Sequence, residues 1–243
     1  MTPALERLDA PPLFLLGSAA SGANWVYEFL TAYPRVAGVR ESWVFANRGP
    51  DAAARARALL SGALGPGDRF VVEKSAVHIF HVKRIAEAFP DARFVHLLRD
   101  GRDVALKVWR DPRDRPRRWK ETFGTSLKSA ARAWGEAVAS IEEARASLGE
   151  RLLEIRFEDL NFDHFNGARR ILEFSGIGFD SHEVLRILEA DENRLDRPDP
   201  PEPWKTNYSN WRAWRFDRVA GEMLVKTRYA EDRAWWFRPF LRN

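Results

Sequence analysis

Gly17 and Gly22, separated by four residues in GSAASGANW (17–25), are the first residues whose types and spacing suggest chemistry. Glycines so placed let backbone N–H groups close around an oxyanion. A helix starting at the second glycine aims its N-terminus at the same point. A loop that holds a nucleoside triphosphate continues with Lys, for the β- and γ-phosphates, and then with Ser or Thr, for Mg²⁺. Here those positions are Ala23 and Asn24. The loop therefore suits a phosphate, but not the metal-bound triphosphate of an ordinary ATPase or kinase. A second group is Glu73-Lys74-Ser75, where a lysine directly ends an apolar run. A buried lysine needs a partner, so Lys74 points to an anion. A third is LLRDGRDVA (97–105). A fourth, RDPRDRPRRWK (110–120), has six basic and two acidic residues, an excess equal to the net charge of the whole chain, +4. It reads as a solvated basic loop or as a wall that attracts an anionic ligand. There is no helix-turn-helix, zinc-finger or other nucleic-acid signature, and no nucleic-acid partner is expected.

These groups need elements to hold them. Residues 12–16 read as a buried strand and 22–33 as a helix ended by Pro34. Residues 51–64 are helical up to their glycines, and Phe70 to Glu73 form a strand. Ile79, Val82, Ile85 and Phe89 make a helical stripe over 78–89. Residues 93–98 are a strand, 102–110 a helix and 125–147 a long Ala-rich helix. RLLEIRF (151–157) is a strand, and 164–175 and 181–190 are helices. The alternation predicts an α/β fold with a central, mainly parallel sheet and helices on both faces. In such sheets the ligand lies beyond the carboxyl ends of the strands. The loops at 17–24, 73–78 and 99–103 each follow a strand and would converge there.

The 243 residues, 45% of them hydrophobic, are expected to form one domain over 1–243. The absence of cysteine excludes disulfides and thiolate metal sites. The first ten residues carry no apolar signal core, and no run approaches the roughly 18 apolar residues of a membrane span. A soluble, cytoplasmic protein is the expectation.

Taken in order and spacing, GSAASGANW, EKS, LLRDGRDVA and LEIRFEDL (153–160) resemble the sulfotransferases that use 3′-phosphoadenosine 5′-phosphosulfate (PAPS). The resemblance covers roughly residues 12–176 and implies a P-loop-like, three-layer fold. It implies PAPS as co-substrate, no metal, and a hydroxyl-bearing acceptor: a small molecule, glycan or lipid. In that family the first loop wraps the 5′-phosphosulfate. Gly17, Ser18, Ser21, Gly22, Ala23, Asn24 and Trp25 occupy its frame. Arg99 stands where the family binds the 3′-phosphate, and Lys107 where it commonly has a Ser that does so. Lys205, with Arg212, lies where the last PAPS-binding loop would fall. PAPS has no β/γ-phosphate chain, so a loop without the Lys-Ser/Thr pair is what such a ligand requires.

Ala20 departs from the pattern. The family usually has a cation there, which steadies the bridging oxygen as the sulfuryl group leaves. Lys74 and Arg40 are candidates to replace it. Without a replacement, the chain would be a weakened member that only binds a nucleotide or partner. For the base that takes the acceptor proton, Glu41 in YPRVAGVRESWVF (33–45) matches the carbohydrate sulfotransferases, and His78 is its rival. Five tryptophans, at 204, 211, 214, 235 and 236, read as a C-terminal packing layer or as an aromatic wall over the adenine or the acceptor.

Overall fold

Leu13 to Leu16 are all buried because both faces of their strand are covered. The computed structural model describes residues 6, 8–47, 49, 51–110, 116–191 and 203–237. Its elements are β1 (Leu13–Gly17), α1 (Ala23–Ala32), β2 (Val36–Arg40), α2 (Ala52–Ala63) and β3 (Phe70–Lys74). A 3₁₀ turn, Ala76–His81, then leads into α3 (Val82–Ala88), β4 (Arg93–Leu98) and α4 (Gly101–Arg110). There follow α5 (Arg117–Phe123), α6 (Leu127–Leu148), β5 (Leu152–Arg156), α7 (Phe157–Phe162), α8 (His164–Ser175) and α9 (Ser181–Asp191). The short α10 (Trp204–Asn207) and α11 (Asn210–Lys226) complete the set.

The sheet order is β2-β3-β1-β4-β5, with every pair parallel. Alternation along β1 sends its side chains to two cores. Phe14 and Leu16 join Ala56 and Leu60 of α2, Val82 and Ile85 of α3, and Ile141 of α6. Leu13 and Leu15 join Val26 and Leu30 of α1, Ile171 of α8 and Val184 of α9. A third cluster packs α4, α6 and α11 around Trp134 and Phe216. The chain leaves β1 towards β2 and β3, then crosses to β4 and β5. The carboxyl end of β1 is therefore the point where the winding reverses, and crevices form at such points.

The strands at 13–17, 70–74, 93–98 and 152–156 match expectation, as do the helices from 23, 52, 101, 127, 164 and 181. The stripe over 78–89 is divided between the 3₁₀ turn and α3. β2 gave no strand signal because it is a short edge strand with Gly38 at its centre. A Cβ at Gly38 would lie 2.5 Å from Tyr27 Oη and 2.5 Å from Thr31 Cγ2, so α1 could not pack so closely on a larger residue. No helix among the described residues is long and apolar enough to cross a membrane.

Candidate active site

The turn after β1 is closed by a hydrogen bond from Ser21 N–H to Ser18 O at 3.1 Å. Ala20 takes a left-handed φ of 63° to make it. Gly22 follows at φ 92° as the N-cap of α1 and supplies no side-chain cap. A Cβ at Gly22 would lie 2.5 Å from the Phe157 ring, so glycine is required by both conformation and space. The first-turn N–H groups of α1 thus face a cleft without a side chain to satisfy them, which is the arrangement that attracts an oxyanion.

That cleft has a volume of about 330 Å³ and is lined by all of residues 17–25. Lys74, Arg99, Lys107, Arg40 and Glu41 also line it, with Arg118. Five cations therefore surround one carboxylate among its described residues, giving a local positive field. Arg99 is buried, donates from Nη1 to Ala20 O at 3.0 Å, and lies 4.2 Å over the Phe157 ring. Lys107 reaches the same cleft from α4. Three buried polar atoms of lining residues, Ser21 Oγ, Trp25 Nε1 and Asn161 Oδ1, have no hydrogen-bond partner among the described residues. Buried polar groups are normally satisfied, so the three together fit a polar ligand held here. Burial holds the pKa of His164, beside them, below its ordinary range despite the opposing pull of Asp163.

Glu41 follows β2, and its N–H donates to Lys74 O at 2.8 Å. Its φ is 51°, a left-handed value that few residues other than glycine adopt. Lys74 Nζ donates to Glu41 Oε1 at 2.5 Å, and Trp43 Nε1 donates to Oε2 at 3.0 Å. The lysine side chain is 7% exposed and the glutamate 36%, so the pair sits where the cleft opens to solvent. Arg40 is instead held at 3.1 Å by Glu28.

The fold does not bring His78 to this cleft. His78 is completely buried behind β3, with Nδ1 2.8 Å from Glu73 Oε2 and Nε2 accepting Phe45 N–H at 3.4 Å. Lys205 is exposed and is not among the lining residues. Arg212 donates to Asn207 O at 3.0 Å and lies 5.0 Å over Trp109. The C-terminal tryptophans divide. Trp204 and Trp235 are buried against Arg102, whereas Trp211 is 62% exposed and stacks on Trp214 at 4.7 Å.

The aromatic lining comes instead from Trp25, Trp43, Trp119 and Phe157. Trp43, Trp119, Phe157, Asn161 and His164 were not singled out from sequence. Trp119 and Arg118 fall within the basic stretch 110–120, Trp43 within YPRVAGVRESWVF and Phe157 within LEIRFEDL, and those stretches were the available signals. Arg118 lies 4.5 Å over the Trp43 ring. Residues 111–115 of the stretch lie outside the described residues.

Residues 51–181, more than half of the chain, match the sulfotransferase family. No curated protein matches the sequence. Three solved structures share the fold at low identity. A sulfotransferase from Alicyclobacillus acidocaldarius is 20% identical, with TM-score 0.57, over 88% of this chain and 97% of that one. A mouse sulfotransferase complexed with 3′-phosphoadenosine 5′-phosphate (PAP) is 17% identical, with TM-score 0.58, over 91% and 88%. A Mycobacterium avium sulfotransferase is 12% identical, with TM-score 0.61, over 92% and 78%.

Proposed function

The chain belongs to the sulfotransferase family, and from that premise we propose that it moves a sulfuryl group from PAPS to a hydroxyl of a small molecule, glycan or lipid. The observation that carries this reading is the meeting of the phosphate loop, Arg99, Lys107, Lys74 and Glu41 in one cleft. The mouse structure that shares the fold is complexed with PAP, the desulfated form of this co-substrate.

The residues present suit PAPS. The uncapped start of α1 and Ser21 would receive the 5′-phosphosulfate, whose activated bond supplies the sulfuryl group. Arg99 and Lys107 would hold the 3′-phosphate as two cations for one dianion. The unpartnered Trp25 Nε1 and Asn161 Oδ1 offer one donor and one acceptor beside Phe157, which fits a purine base.

Glu41 is the group assigned to take the acceptor proton. A base must lie within hydrogen-bond reach of the hydroxyl, and Glu41 lines the cleft where His78 does not. Lys74 is assigned the cationic role that Ala20 lacks. Its ammonium lies in the cleft against Glu41, so a cation for the leaving oxygen and a base for the entering hydroxyl would flank the same reacting group. Loss of one preorganised donor of this kind typically costs about 3–4 kcal/mol of transition-state stabilisation.

Calorimetry with PAP, followed by an acceptor screen with PAPS, tests the reading. Binding of PAP with transfer to a hydroxyl supports it, and no PAP binding overturns it. The missing cation at Ala20 gives a second reading its support: PAP binding with no turnover on any acceptor would mark a protein that binds but does not transfer.

A further inference from the structure

Behind Lys74, on the opposite face of β3, lies a polar cluster with no part in the chemistry above. Glu73 is 3% exposed. Its Oε1 accepts from Ser42 Oγ at 2.9 Å and from Ser75 Oγ at 2.6 Å, and its Oε2 meets His78 Nδ1 at 2.8 Å. Because His78 Nε2 accepts Phe45 N–H, the proton of a neutral ring is on Nδ1 and is donated to Glu73. Ser75 Oγ in turn accepts Trp43 N–H at 3.4 Å. Three of these five bonds end on one segment, residues 42–45.

That segment directly follows Glu41 and is held in an unfavourable backbone. Glu41 and Trp43 have φ of 51° and 54°, and non-glycine residues keep such angles only where their surroundings enforce them. Phe45 adds an edge-on contact with the His78 ring at 5.4 Å. The Trp43 indole is the one group of this segment that reaches forward to Glu41, at Oε2.

We propose that the buried Glu73–His78 pair is a positioning device for Glu41. It pins residues 42–45 against β3, and the pinned Trp43 indole then fixes the Glu41 carboxylate beside Lys74. The proposal rests on the reading of Glu41 as the base. A carboxylate is needed at 73 because three donors converge on it. Glutamine would set an amide N–H₂ or lose an acceptor against Ser42, Ser75 or His78. Turning the histidine to its other tautomer would only oppose Nε2–H to Phe45 N–H. His78, which motif spacing offered as a rival base, thereby acts through Glu41.

The indole signal of Trp43 reports on this directly and needs no acceptor. In ¹⁵N–¹H spectra of the full chain, with the signal assigned by Trp43→Phe, Glu41→Gln defines the position of an indole that has lost its carboxylate partner. Glu73→Gln and His78→Leu should move the signal towards that position. His78→Asn keeps an N–H for Glu73 and should restore most of the wild-type position. PAP affinity, by calorimetry, should stay within about threefold, because neither residue lines the cleft. With PAPS and an alcohol acceptor from the screen above, whose hydroxyl stays protonated near neutral pH, kcat should fall ~10-fold or more with KM for PAPS unchanged, a part of the 10²–10⁴ that a general base contributes. If Glu73→Gln or His78→Leu does not fold, Ser42→Ala removes one donor at the partly exposed edge and should shift the signal in the same direction. An indole signal unmoved in every folded variant overturns the positioning role. A signal that moves while Glu41→Gln still turns over normally removes Glu41 as the base and leaves the contact standing.

Discussion

Arg99 and Arg102 stand three residues apart in one motif, equally buried at 3% and 5% exposure, and each lies over an aromatic ring. Their surroundings differ. Arg102 is clamped by Asp100 at 2.7 Å, donates to Tyr229 O at 2.7 Å, and is stacked between Trp204 and Trp235 at 3.7 and 4.8 Å. Arg99 turns the other way, onto the Ala20 carbonyl and into the cleft. The guanidinium of Arg102 ties the C-terminal layer to α4, and that of Arg99 lines the cleft. Burial and charge alone do not separate the two roles. The partners do: Arg102 meets the Asp100 carboxylate and the Tyr229 carbonyl within the fold, whereas Arg99 meets the Ala20 carbonyl and lines the cleft.

Exchanging the two residues in turn is the sharpest way to break this contrast. Arg102→Ala should cost about 3–5 kcal/mol of stability, because Asp100 is left as an uncompensated buried charge. Urea unfolding measures it, and PAP affinity of the folded fraction should hardly move. Lys74→Met, on the cleft side, should lower kcat by ~100-fold or more while leaving the unfolding midpoint within a few degrees. Sulfuryl transfer unaffected by this change would remove Lys74 from the reaction. Arg99→Ala should weaken PAP binding by ~2–3 kcal/mol, the scale of charged hydrogen bonds left unmade. Adenosine 5′-phosphosulfate, which lacks the 3′-phosphate, serves as the control. An equal loss for both ligands would show that Arg99 acts by holding the Ala20 loop rather than by reading a phosphate.

The smallest effect concerns Asp103, on the structural side of the contrast. Burial, together with the charge of Asp100, raises its pKa to about 7, against a hydrogen bond from Trp204 N–H. An acid with a raised pKa binds its proton more tightly folded than unfolded. Its contribution to stability is therefore greatest below the unfolded pKa and declines as pH rises from about 4 to about 7. The slope should not exceed ~1.4 kcal/mol per pH unit. Asp103→Asn keeps the acceptor for Trp204 and should flatten that part of the stability profile. A profile unchanged by the substitution would place the titration elsewhere.

Much of this architecture was legible in one dimension. The run Leu13 to Leu16, the glycines at 17 and 22 and the stripe from Val26 to Leu30 announce a strand, a tight glycine loop and a helix through local periodicity alone. Less legible were elements whose signal is weak or mixed. β2 is short and carries Gly38, and α11 mixes tryptophans and arginines with its buried Ala213, Phe216, Ala220 and Leu224. His78 stood as a rival to Glu41 for the base because spacing from Lys74 says nothing about which side of β3 a residue will occupy.

The sequence by itself determined the local parts: the glycine spacing that shapes the first loop, the missing Lys-Ser/Thr pair, the strand–helix alternation, and the order of the motifs that mark the family. These follow from backbone sterics and from side-chain periods of two and 3.6, which act over a few residues. Only the tertiary structure decided which groups share the cleft. Arg99 finds Ala20 across 79 positions, Lys74 finds Glu41 across 33, and Tyr208 donates to Arg102 O across 106. Such pairings are set by strand order and by which face each helix covers. No period along the chain encodes them, and for that reason two arginines of one motif could be assigned their separate tasks only once the sheet was assembled.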